Sequence, residues 1–86
     1  MSKAYVCSLR RQLAGSWTIW RPFGFNPNLD YARQELVNVF GSHLHKEDRG
    51  EAMEAEWTAL IEKAKTLEVG EILECDERQW RIELDT

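Results

Sequence analysis

The clearest pattern along the chain runs over residues 48–67, DRGEAMEAEWTALIEKAKTL. Met53, Trp57, Leu60, Ala64 and Leu67 recur at alternating spacings of four and three, and Ile61 widens the stripe. That spacing stacks side chains on one face of a helix that turns once in about 3.6 residues. Glu51, Glu54, Thr58, Glu62 and Lys65 fall on the opposite face. Asp48 followed by Glu51 fits a capping box, and Gly70 lies just past the last periodic residue, where a left-handed closing residue suits glycine. The expectation is an amphipathic helix whose seam covers a sheet.

The remaining segments supply that sheet and a second helix. Over residues 4–10, Tyr5, Cys7 and Leu9 alternate with Val6, Ser8 and Arg10, as in a half-buried strand. A turn is expected over residues 12–15. Residues 16–21 are rich in aromatic and β-branched side chains and read as a second strand ended by Pro22, with Trp17 and Trp20 on opposite faces. RPFGFNPN, residues 21–28, reads as a loop because of its two prolines, one glycine and two asparagines. Its Phe23 and Phe25 are expected to anchor that loop to the core; an exposed pair would instead mark a contact surface.

A helix follows over residues 29–40, with Leu29, Ala32, Leu36, Val39 and Phe40 on one face, Asn26 or Asn28 as cap, and Gly41 closing it. After Gly70, residues 71–75 and 79–84 read as a hairpin about Glu77 and Arg78, with Cys75 opposite Trp80 and Leu73 opposite Ile82. The expected fold is therefore a single α+β domain spanning residues 1–86. Its order is β-β-α-α-β-β, an antiparallel sheet with two helices packed on one face.

Composition agrees with a folded chain. Of 86 residues, 43% are hydrophobic and 30% charged, which leaves room for one core. Four tryptophans add large apolar area to that core. No apolar run approaches the length of a membrane span, and the first residues lack the apolar segment of a signal peptide, so no membrane association and a cytoplasmic location are expected. Cys7 and Cys75 form no CxxC pair and are expected as buried small hydrophobes, although a bridge between them is geometrically open.

Charge changes the picture more. The net charge is −4, but residues 1–45 carry five Lys or Arg against two acids, while residues 46–86 carry six against thirteen. The acidic half disfavours a phosphate backbone as its partner. Glu47, Glu51, Glu54 and Glu62, with Glu68 and Glu71 nearby, form a candidate patch for a basic partner. Ordinary helix electrostatics account for much of that bank, since acids near a helix N-terminus complement its dipole. The opposite candidate is Arg10, Arg11, Trp20 and Arg21, with Trp17 and Arg33. Arginines interleaved with aromatics are the general recipe for holding single-stranded nucleic acid.

Catalytic and metal signatures are weak. His43 and His45 lie beside Glu47 and Asp48, but defined third and fourth ligands at zinc spacing are missing, so loop histidines ahead of an acidic helix explain them better. No nucleophile elbow surrounds Ser2, Ser8, Ser16 or Ser42, and Gly24, Gly41 and Gly70 are isolated, with no phosphate-cradling loop. No enzyme activity, cofactor or metal is expected.

Short, acidic, motif-free single-domain chains of this kind are similar in style, though over no particular residues, to the phage-encoded inhibitors of bacterial defence systems, anti-CRISPR proteins included. That likeness implies an inhibitor that blocks a larger protein or nucleoprotein complex. Direct nucleic-acid binding is the alternative.

Overall fold

The alternation of Trp80 and Ile82 with Arg81 and Glu83 places one apolar face on a C-terminal strand, and this strand lies at the heart of the sheet. The computed structural model describes residues 3–46 and 51–85, with the side chains of residues 45, 46 and 51–53 outside that set. Its elements are β1 (Ala4–Leu13), β2 (Ser16–Trp17), β3 (Arg21–Asn26), α1 (Leu29–Lys46), α2 (Glu51–Ala64), β4 (Ile72–Cys75) and β5 (Arg78–Asp85). All strand pairs are antiparallel. β1 pairs along one side with β2 and β3 and along the other with β5, and β4 lies outside β5. The α+β class, the antiparallel sheet and the two helices therefore stand, with five strands in place of four.

Residues directly opposite in an antiparallel ladder share a face. Cys7 opposes Ile82, Leu9 opposes Trp80, and Leu73 opposes Trp80 from the other side. The helices cover this face. Ala32, Leu36 and Phe40 of α1 and Trp57, Leu60 and Ala64 of α2 are buried with Leu67 against Cys7, Leu73, Cys75, Trp80 and Ile82. The seam over residues 57–67 is thus the core contact; the side chain of Met53 lies outside the described residues. Phe40 meets Trp80 edge-on at 5.0 Å, and Trp57 meets Trp80 at 5.8 Å.

Several expectations change. RPFGFN is strand β3, not a loop. Pro22 is tolerated because β3 is an edge strand, where a missing N–H need not break a ladder. A bulge between the Cys7 and Ser8 pairings leaves Phe23 without a partner. Gly24 sits where an added Cβ would run into the Glu35 carboxylate, so the Glu35 side chain of α1 reaches β3 closely here. The Asn26 amide donates to Glu35 at 3.5 Å and reinforces that contact. Asn28, not Asn26, caps α1 by accepting from the Tyr31 N–H at 3.0 Å.

Of the expected second strand, Ser16 and Trp17 pair with β1 as β2 and Arg21 pairs with it as the start of β3, while residues 18–20 leave the ladder. β1 is correspondingly longer, reaching Leu13, and the turn contracts to Ala14 and Gly15. Gly41 does not close α1. The helix continues to Lys46, because Leu44 packs on the core and His43 stacks on Trp57. α2 ends at Ala64, short of Leu67. The Asp48 cap lies outside the described residues. Gly70 has φ +92 but serves the approach to β4, where its N–H donates to Ile82 at 2.9 Å.

The last hairpin turns on Asp76 and Glu77, both with positive φ, and pairs Cys75 with Arg78, Leu73 with Trp80 and Glu74 with Gln79. The register differs from expectation by two residues. A shift of two keeps every side chain on its face, which is why the apolar face survives the correction.

Candidate functional site

Two faces come into question: the outer side of α2 and the β1–β3 side of the sheet. On α2, Glu54 and Glu62 are exposed and border a shallow strip with Ala55, Thr58 and Ala59. Glu51 opens the helix, but its side chain lies outside the described residues, as does all of Glu47. Glu62 is paired with Lys65 at 3.1 Å. Glu68 meets Arg33 at 3.4 Å, and Glu71 accepts from the Glu68 backbone at 2.8 Å. Much of the acidic bank is therefore engaged within the protein. Of these described acids, Glu54 and Glu71 make no ion pair among the described residues.

The second patch is organised around Trp20. Arg10 lies on the sheet face away from the helices, as do Ser8 and its ladder partner Arg81. Residues 18–20 fold back across that face. The Arg81 guanidinium carbon lies 4.1 Å from the Trp20 ring centroid and that of Arg10 4.6 Å; Arg10 also sits 5.0 Å from Trp17. Both indoles therefore converge on one arginine, contrary to the expected opposite faces, because the strand alternation ends once residues 18–20 leave the ladder. Arg10 Nε also donates to Gln79 at 2.7 Å, and Arg81 is paired with Glu83. These contacts help bury Val6 and Ser8, which no helix covers. Trp20 borders the same groove as both.

What remains open at this side is apolar. Ile19 is 77% exposed, Phe25 66%, Leu13 62% and Phe23 41%. The expectation that the two phenylalanines anchor to the core is overturned. As members of an edge strand with a bulge, both project from the sheet and not into the helical layer. Their alternation could not be interpreted while the segment read as a loop. Arg11 and Arg21, both exposed, flank them; Arg21 stands opposite Leu9, and the Arg11 N–H donates to the Thr18 hydroxyl at 3.0 Å.

Groups suited to catalysis are engaged otherwise. Burial raises Cys7 to about 12, helped by the nearby Glu35 carboxylate; its thiol donates to the Ala32 carbonyl at 3.4 Å. Burial likewise raises Cys75 to about 12, with its thiol donating to Glu56 at 3.3 Å. The two are free and buried, as expected. His43 lies flat on Trp57, centroids 4.6 Å apart, so its ring belongs to the aromatic layer. The side chain of His45 is outside the described residues. Among the described residues, no His, Cys, Asp and Glu group is arranged to hold a metal, and no helix is long and apolar enough to cross a membrane. Compared with protein families, curated proteins and solved structures, the chain matches none.

Proposed function

We propose that this chain is a non-catalytic binding protein that occupies a surface of a larger protein or nucleoprotein complex. The observation that carries this reading is the run of exposed large apolar side chains within residues 13–25: Leu13 and Phe23, which line one cleft, with Ile19 77% and Phe25 66% exposed. Scattered single apolar residues on a surface are ordinary, but four large ones exposed within thirteen positions of the chain point to a contact surface. Aromatics with neighbouring arginines are also the composition of interface hot spots. Contact through Glu54 and Glu62, with carboxylates standing in for phosphates before a basic partner, has thinner support, because Lys65 already neutralises Glu62. Blocking a partner, in the manner of an anti-defence inhibitor, is the action such a surface would perform by occupancy alone.

Stacking of single-stranded nucleic acid draws less support. Trp17 and Trp20 are half-buried and already held against Arg10. The test is capture from a cell extract with the wild-type protein and with an Ile19→Asp, Phe25→Asp variant as baits. A protein retained by the first and lost from the second is the expected result. Equal retention, or retention of nucleic acid alone, rejects the reading.

A further inference from the structure

The end of β1 carries an unusual charge arrangement. Arg11 stands directly opposite Arg78 across the β1–β5 ladder. One row further along the same face, Leu9 is flanked by Trp80 on one side and Arg21 on the other. Three guanidiniums thus surround one end of the sheet on the helix-bearing face. Like charges directly opposed across a ladder are unfavourable. The chain has 15 acids; Arg33 pairs with two of them, Asp30 and Glu68, and Arg81 with Glu83. Among the described residues, Arg11, Arg21 and Arg78 pair with none.

Arg11 and Arg21 border an apolar hollow, and Arg78 stands beside Arg11 across the ladder. A cleft of about 410 Å³ lies between Leu9, Leu13 and Phe23, with Arg11 and Arg21 at its wall and no carboxylate in its lining. We propose that this cleft docks an acidic, apolar segment of a partner protein. Carboxylates would meet the guanidinium forks, which accept them in two-point fashion, while an aliphatic or aromatic side chain fills the space between Leu9, Leu13 and Phe23. Charge complementarity selects this occupant: Arg11 and Arg21 at a carboxylate-free wall, with Arg78 next to Arg11 and none of the three in an ion pair among the described residues, in a protein whose net charge is −4. A nucleic acid suits the cleft less, since neither Trp17 nor Trp20 lines it and both indoles are held against Arg10. The proposal rests on the binding-protein reading and names the chemistry of its partner.

The test is selection from a random displayed dodecapeptide library on the whole protein, followed by fluorescence anisotropy of the selected peptides. Expected are peptides of net negative charge with at least one large apolar residue, whose binding weakens as salt rises. An Arg11→Glu, Arg21→Glu variant should bind them at least about tenfold more weakly, a loss of roughly 1.4 kcal/mol. Phe23→Ala should weaken them too. The reversal variant should melt no lower than wild type by more than a few degrees, since both arginines lie at the rim of the fold. Failure to select binders, selection of neutral or basic peptides, or equal binding by the reversal variant overturns the proposal. Tighter binding of an oligothymidine that the same reversal abolishes also overturns it and assigns the cleft to nucleic acid. Because Ile19 and Phe25 do not line the cleft, capture that depends on them but ignores the arginine reversals removes this inference and leaves the binding-protein reading intact.

Discussion

The indole of Trp20 lies 4.1 Å from the Arg81 guanidinium, although the two belong to different elements and 61 positions separate them in the chain. This contact, with Arg10 at 4.6 Å, holds residues 18–20 across the sheet face that no helix covers. Trp20 is consequently a structural residue first. Trp20→Ala is expected to lower stability by about 2 kcal/mol, from lost packing over Ser8 and the lost cation–π contacts. Urea unfolding followed by the remaining tryptophans measures this. A loss under about 0.5 kcal/mol would mean that the lid over Val6 and Ser8 contributes little.

The exposed edge should behave in the opposite way. Ile19→Ser and Phe25→Ser remove apolar area that already faces solvent, so each should change stability by no more than about 0.5 kcal/mol. Thermal melts of the two variants check this. A drop of several degrees would place these side chains in packing and weaken their claim as contact residues.

Gly41 lies inside α1, has no left-handed φ, and offers open space where a Cβ would stand. Gly41→Ala should therefore stabilise the protein by about 0.5–1 kcal/mol, mainly by restricting the unfolded chain. The midpoint of urea unfolding should rise with an unchanged slope. A fall would imply that the helix bends at this position.

The periodic seam of α2 is legible because Trp57, Leu60 and Ala64, continued by Leu67 just past the helix, repeat at helical spacing without competing signals. The face of β5 was legible for the same reason at a spacing of two. What escaped depended on pairing partners far along the chain. RPFGFN contains the residues that end strands, and only its position on the sheet edge, beside β1, makes Pro22 and the bulge at Phe23 compatible with pairing. Gly41 resembled a helix stop because glycine is ambiguous without its φ. The opposition of Arg11 and Arg78 needs the β1–β5 ladder, which joins residues 67 apart and leaves no local trace. Arg11 and Arg21 stand out in the sequence because they lie among aromatics, while Arg78 becomes their neighbour only through the register.

The hairpin joining β4 and β5 turns on two non-glycine residues in the left-handed region, Asp76 at φ 53 and Glu77 at φ 60. Such a conformation costs a residue bearing a Cβ roughly 1–2 kcal/mol, and the two-residue hairpin turn of this type favours glycine at its second position. Glu77→Gly keeps the backbone carbonyl that accepts from the Gln12 N–H at 2.9 Å. It should stabilise the fold by about 0.5–1 kcal/mol after the greater entropy of the unfolded glycine is subtracted. Equilibrium unfolding reads this directly; a loss would indicate that the Glu77 side chain contributes more than its backbone strain removes.

The two cysteines set an alkaline limit on stability. Each thiol is raised from an ordinary value of 9.0 to about 12 in the folded protein, chiefly by burial, so the folded state holds its proton where the unfolded state has released it. Stability that rests on these protons is fully present below pH 9.0 and is lost as pH climbs toward about 12. Wild type should therefore lose stability more steeply across that interval than a Cys7→Ala, Cys75→Ala variant, whose lower baseline reflects the two small cavities left behind. Lysines and tyrosines titrate in the same interval, so the measurement is the difference in slope between the two proteins in urea unfolding at stepped pH. A thiol-specific reagent at neutral pH should label neither cysteine in the folded protein and both after unfolding. Rapid labelling of the native protein, or identical slopes for the two proteins, would contradict the burial that raises these groups.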